Sequence, residues 1–160
     1  MQELKALSTG DRDDGFSAGL NGDDLFNWSV CIMGPEGSLY EGGIFQASLQ
    51  FPHSYPDNPP VMRFITPIFH PNIWPDGKVC ISILHPPGED PLNPQEQASE
   101  RWLPIHNVFS ICMSVSISFS PVSQSLCLND CVQVLSMLTD PNIDSPANID
   151  AAVSPRARCC

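Results

Sequence analysis

The residues best equipped for chemistry lie in one run, HPNIWPDGKVCISIL, from His70 to Leu84. Cys80 follows the turn Pro75-Asp76-Gly77, so its thiol stands beside a loop that an outside reactant can reach. Two readings of Cys80 stay open at this level. It is a functional thiol, or it is a small buried hydrophobe between Val79 and Ile81. His70 and Asn72 are close by in sequence, and a Cys-His pair is the signature of a cysteine hydrolase. Against that, His70 sits between prolines and aromatics, the surroundings of a structural histidine.

The stretch His85-Pro86-Pro87-Gly88-Glu89-Asp90, continuing to Glu100, is acidic and by itself reads as a solvated loop. Cys127 and Cys131 have the spacing of a metal half-site, but no partner pair accompanies them, so no metal is expected. The terminal Cys159-Cys160 has the form of a double-cysteine prenylation end, and equally that of an unrelated tail.

The elements around the run follow from its neighbours. Phe26, Trp28, Val30 and Ile32 alternate with Asn27, Ser29 and Cys31, the pattern of a half-buried strand with Cys31 on the polar face. Beyond the turn at Gly34-Pro35-Glu36-Gly37, Phe45, Ala47, Leu49 and Phe51 alternate with Gln46, Ser48 and Gln50. A proline-rich turn from His53 to Pro60 leads to a third short strand, Val61 to Ile65, and the three make an antiparallel meander. Long irregular loops such as Thr66 to Trp102 are uncommon unless they serve function. Val108, Ile111, Cys112 and Val115 then mark one face of a helix that should pack on the sheet. At the front, Met1, Leu4 and Leu7 give a helical stub too short to stand alone. The expected class is therefore α+β, a short antiparallel sheet backed by a helix.

With 160 residues the chain holds one ordinary domain. Its net charge of -11 and lack of a basic run exclude the phosphate-gripping surface of a nucleic-acid binder. Seven cysteines, an odd number, fit free thiols rather than a fully paired secreted framework. With no apolar signal core at the start and no run long enough for a membrane span, the cytoplasm or nucleus is the expected location. The 17 prolines repeatedly bar long helices and central strands.

Several motifs together resemble the ubiquitin-conjugating enzymes, most closely the subgroup with an acidic insertion after the catalytic cysteine. They are Gly34-Pro35 with Tyr40-Glu41-Gly42-Gly43; Phe51-Pro52 and Tyr55-Pro56 with Pro59-Pro60; His70-Pro71-Asn72 with Gly77, Val79 and Cys80; Arg101-Trp102; and Asp140-Pro141-Asn142 with Pro146, Ala147 and Asn148. The resemblance covers Phe16 to Val115 and Leu135 to Ala152. It implies that Cys80 takes the C-terminal glycine of ubiquitin from the activating enzyme as a thioester and passes it to a lysine amine on a substrate or on another ubiquitin. It implies Asn72 as the catalytic asparagine, supporting its loop and the oxyanion formed when the amine attacks. His85, Glu89 and Asp90 fall in the acidic insertion, which in the family favours chain building. Ser145 falls where some relatives carry an acidic gate residue, with Asp144 adjacent. The implied partners are ubiquitin, its activating enzyme, a ubiquitin ligase and substrate lysines. No cofactor is implied, since ATP is used by the activating enzyme.

The chain also departs from the family pattern. Its first helix is shortened. Asp57 stands where relatives often place an apolar anchor for ligases, while Pro104 and Ile105 on the second ligase-facing loop still match. Ser116 to Val134, with Pro121, interrupts the central helix, and the C-terminal helices are missing beyond Ala152. The expected organisation is a core over 1–152 with a foreign insertion at 116–134, then an unrelated tail at 153–160. An inert variant or interaction module of the same fold, which cannot be charged efficiently, is the alternative expectation.

Overall fold

The computed structural model describes residues 15–34, 36, 38–94, 96–116 and 147–148. Its sheet has four strands: β1 Phe16–Asn21, β2 Asp24–Met33, β3 Ile44–Gln50 and β4 Val61–Phe64. They lie in chain order, each antiparallel to the next. The meander expected from Phe26 onward is present, with one strand more at its front. Phe16, Ala18 and Leu20 alternate with Ser17, Gly19 and Asn21 just as the later strands do. Gly22, with φ 65°, makes the tight turn into β2.

Register explains why one face is dry. Phe16 pairs with Ile32 and Ile32 with Phe45; Ala18, Val30, Ala47 and Phe64 form the next row; Leu20, Trp28, Leu49 and Met62 the third. These rows share a face because a strand's side chains alternate with period two. The opposite face carries Ser17, Cys31 and Gln46, then Gly19, Ser29, Ser48 and Arg63. Cys31 is thus on the polar side, as its alternation required. Phe26 does not follow: it is 45% exposed, because it precedes the paired stretch with β3, and its ring meets His53 edge-on at 4.8 Å.

The helix α1, Val108–Ser116, covers the apolar face. Its start is set by Asn107, whose Oδ1 accepts from the Ser110 N–H at 2.9 Å while the Ser110 hydroxyl accepts from the Asn107 N–H at 2.9 Å. This reciprocal cap satisfies donors the first helical turn would otherwise leave unpaired. Val108, Ile111, Cys112 and Val115 are all fully buried, as their spacing predicted. Each such burial is worth roughly 1.5–3 kcal/mol, and Phe16 against Phe109 at 5.7 Å ties the helix to β1.

The expectations of a shortened first helix, a central helix interrupted at 116–134, absent C-terminal helices and an unrelated tail fall on residues outside those described. Among the described residues no helix is long and apolar enough to cross a membrane.

Candidate active site

Backbone pairing at the free edge of β4 brings Cys80 to its place. The Phe64 N–H donates to the Gly77 carbonyl at 2.9 Å and the Val79 N–H to the Met62 carbonyl at 3.0 Å, so residues 77–79 extend the sheet. Gly77 has φ 85°, and a Cβ on it would lie 2.3 Å from the Phe64 carbonyl oxygen. Only glycine meets both demands. Asp76 fixes the same turn by accepting from the Lys78 N–H at 3.0 Å and pairing with Arg63. The Arg63 hydrogen bond, followed by that of the Lys78 backbone, holds the Asp76 carboxyl below its usual value.

The segment before the turn is locked from inside. His70 is fully buried, and its Nδ1 accepts from the Asn72 N–H at 2.9 Å. The neutral ring therefore carries its proton on Nε2. Tyr40 donates its hydroxyl to the Phe69 carbonyl at 2.7 Å, and the Asn148 N–H reaches the Pro71 carbonyl at 2.8 Å. The Cys80 N–H in turn donates to the Asn72 carbonyl at 2.9 Å, which joins the buried Asn72 to the cysteine through the backbone. His70 is thus a structural histidine, and the Cys-His pairing weighed for it goes to another residue.

That residue is His85. A short 3-10 turn, Ser82–Leu84, carries the chain round so that His85 Nε2 lies 3.5 Å from Cys80 Sγ. Its Nδ1 lies 2.7 Å from Oε1 of Glu96. The other carboxylate oxygen, Oε2, faces Arg101 Nε at 3.7 Å, and Arg101 NH1 also lies 3.7 Å from Asp90. An ionised carboxylate only accepts, so the Nδ1 proton points to Glu96 and leaves Nε2 for the sulfur.

The electrostatics follow from that arrangement. The half-buried Cys80 thiol is lowered from its ordinary value, first by the hydrogen bond with His85; burial opposes this, and the charge of Lys78 and the Trp74 indole add to it. His85 is raised, first by Cys80 against burial, then by Glu96. The two groups titrate as a pair. Cys112, enclosed beneath the sheet, goes the other way: burial pushes its thiol up to about 12, which makes it inert.

The other candidates separate clearly. Asp90 lies beside Arg101, whereas Glu89 is exposed. Glu96 is the residue that spacing did not single out within the acidic stretch; nothing in the sequence distinguishes it from its acidic neighbours. Asp57 is exposed, as are Pro104 and Ile105, the last at 80%. Trp102 links their two loops, because its Nε1 donates to the Pro56 carbonyl at 2.7 Å. Asp144 and Ser145 lie outside the described residues.

Comparison with known proteins shows the family. The family model described as "Ubiquitin-conjugating enzyme" matches residues 1–132. The chain is similar to ubiquitin-conjugating enzyme E2 13 of Arabidopsis thaliana, with 51% identity over 87% of this chain and 72% of the relative. It is also similar to ubiquitin-conjugating enzyme E2-18 kDa of Schizosaccharomyces pombe, with 45% identity over 94% of this chain and 79% of the relative. Among solved structures, that of human ubiquitin-conjugating enzyme E2 G1 matches with a TM-score of 0.63 and 44% identity, over 88% of this chain and 91% of that one. On the family model, these relatives and the matching solved fold, the chain belongs to the ubiquitin-conjugating enzyme family, in the subgroup with an acidic insertion after the catalytic cysteine, and its function is that of a ubiquitin-conjugating transferase.

Proposed function

We propose that Cys80 is the residue that carries ubiquitin. The observation that supports this most directly is the half-buried thiol, 3.5 Å from His85 Nε2 and lowered from its ordinary value. The Cys80 sulfur attacks the thioester carbonyl presented by the activating enzyme and takes over the ubiquitin C-terminal glycine. A lysine amine of a substrate, or of a second ubiquitin, then attacks the Cys80 thioester and the thiolate leaves. Thiolate chemistry suits both steps, being a good nucleophile and a good leaving group.

Asn72 serves the second step by supporting the loop and donating to the oxyanion; loss of one such donor in other enzymes costs roughly 2.7–4 kcal/mol of transition-state stabilisation. His85, Glu89 and Asp90 act on the incoming amine from the acidic side, and Ser145, with Asp144 adjacent, takes the sequence position of the gate residue. Asp57, Pro104 and Ile105 form the ligase-facing surface, with a carboxylate where an apolar anchor would bind more firmly. Its partners are ubiquitin, the activating enzyme, a ligase and substrate lysines, in the cytoplasm or nucleus. The organisation proposed is a core over 1–152 that carries a foreign insertion at 116–134, followed by an unrelated tail at 153–160.

The test is incubation of the folded protein with activating enzyme, ATP and ubiquitin, followed by a non-reducing gel. A thiol-sensitive adduct that disappears with Cys80→Ala is expected. Absence of an adduct from a demonstrably folded sample overturns the proposal and leaves a non-catalytic module of the same fold.

A further inference from the structure

We propose that Glu96, clamped by Arg101, is a positioning residue: it fixes His85 with Nε2 facing the Cys80 sulfur, so that His85 takes the thiol proton as ubiquitin is loaded. The role in loading rests on the function proposed above. The arrangement itself rests on three contacts in series, from Cys80 Sγ to His85 Nε2 at 3.5 Å, from His85 Nδ1 to Glu96 Oε1 at 2.7 Å, and from Glu96 Oε2 to Arg101 Nε at 3.7 Å.

The burial of the last pair points the same way. The Glu96 side chain is 5% exposed and that of Arg101 8%. Removing two charges from water is costly, and such a pair is often replaceable by apolar side chains without loss of stability. Here the pair is also imperfect as a strut, since Glu96 Oε2 and Arg101 Nε are buried without a hydrogen-bond partner. The short contact is the one to His85. A carboxylate buried against an imidazole fixes which ring nitrogen holds the proton and stabilises the imidazolium when a second proton arrives.

Among the described residues, few charged and titratable groups face this series. Lys78, from the turn before Cys80, acts on the thiol together with the Trp74 indole, and Asp90 lies beside Arg101 at 3.7 Å. Lys78 favours the thiolate. Asp90 shares Arg101 with Glu96, whereas Glu96 lies at hydrogen-bond distance from the imidazole, so the carboxylate that orients His85 is Glu96.

In the loading step the Cys80 S–H bond breaks and its proton passes to His85 Nε2. The sulfur electron pair forms the new C–S bond at the thioester carbonyl. The C–S bond to the activating enzyme's cysteine then breaks, and the departing thiolate takes the proton from the imidazolium. No oxidant, reductant or metal enters the balance.

The experiment reads Cys80 without ubiquitin. Alkylation of the full chain by iodoacetamide is followed against pH, with site-resolved mass spectrometry to separate Cys80 from the other cysteines and the thermal midpoint to confirm folding. Glu96→Gln, which keeps the shape and removes the charge, is expected to move the Cys80 midpoint upward by half a unit to one unit, about three- to tenfold less thiolate at pH 7. His85→Gln should move it further, and Glu96→Gln should add nothing in the His85→Gln background. Should Glu96→Gln fail to fold, Glu96→Asp, which draws the charge back by one methylene, is read in its place with the same direction expected. An unchanged midpoint in the folded Glu96 variant, or in His85→Gln, overturns the proposal, as do additive shifts in the double variant. The thioester assay on the wild-type protein is separate: a missing adduct with an intact alkylation response rejects the ubiquitin-carrying role alone, and a normal adduct with an unresponsive Cys80 rejects the positioning role alone.

Discussion

The Trp102 backbone N–H donates to the His85 carbonyl at 3.1 Å, so the acidic segment between them leaves and re-enters the fold at one point. The loop is long, but its ends are joined beside Cys80. That closure keeps His85 at the sulfur and puts Glu96 and Arg101 within reach of it. Trp102 secures the joint: it is fully buried, its ring lies 5.9 Å from that of Tyr55 and 5.6 Å from that of His106, and its indole binds the Pro56 carbonyl.

Trp102→Ala should therefore cost about 3–5 kcal/mol of stability, the usual range for emptying a buried aromatic site. Trp102→Phe should lose less, because it gives up mainly one hydrogen bond worth about 1 kcal/mol together with part of the ring. Urea denaturation of both variants checks the order. Equal losses would show that the Pro56 contact and the ring size matter less than the burial of any aromatic there.

Gly77→Ala should be destabilising by more than about 1 kcal/mol, since the added methyl meets both a positive φ and the Phe64 carbonyl. The strain falls on the hydrogen bonds that place residues 77–79 on β4, so ubiquitin loading should slow in parallel. Thermal midpoint and thioester formation rate, measured on the same sample, test the two halves. A full loading rate in a destabilised variant would separate the turn from the site.

Acid should weaken the fold through His106. Burial lowers this histidine from its ordinary value of 6.5. The unfolded chain therefore binds the extra proton more readily than the folded one, and stability is lost as pH falls below 6.5 toward the folded value. His85 has the opposite sense: its value is raised, so its contribution is present below 6.5 and disappears as pH rises through the folded value. The clean measurement is the thermal midpoint of His106→Gln against wild type from pH 7.5 to about 5, where removal of the histidine should flatten the acid-side decline. Parallel curves would reject the assignment.

Alkylation near neutrality should find Cys80 and spare Cys112. The first thiol is lowered by His85 and half-buried; the second is enclosed and pushed up to about 12. Adding denaturant should expose Cys112 and narrow the difference between the two. Peptide mapping after brief iodoacetamide treatment reads both sites, and early labelling of Cys112 in the folded protein would contradict its burial on the sheet-facing side of α1.

Much of this protein is determined by sequence alone, because local patterns carry it. Alternation fixed which faces of β2 and β3 are dry, the Val108, Ile111, Cys112 and Val115 spacing fixed the buried side of α1, and the motifs from Gly34 to Asn148 identified the family. β1 carries the same alternation, Phe16 to Asn21, and the Asn21-Gly22 turn signal beside it, so the information for the fourth strand is also local. Phe26 shows the limit of that reasoning, for an alternating residue is buried only where a partner strand reaches it.

The histidine at the cysteine was decided by tertiary structure. His70, Asn72 and His85 are all near Cys80 in sequence, and spacing treats the two histidines alike. In the fold, His70 turns inward to hold the Asn72 N–H, while the 3-10 turn and the Trp102 closure present His85 to the sulfur. Glu96 is further still from what a pattern can reveal. It lies eleven residues beyond His85 in an acidic stretch, and only the return of the chain at Trp102 buries that one carboxylate between an imidazole and a guanidinium. Sequence supplies the chemistry of each group, whereas the strength of a charge pair depends on distance and burial, which the folded chain alone sets.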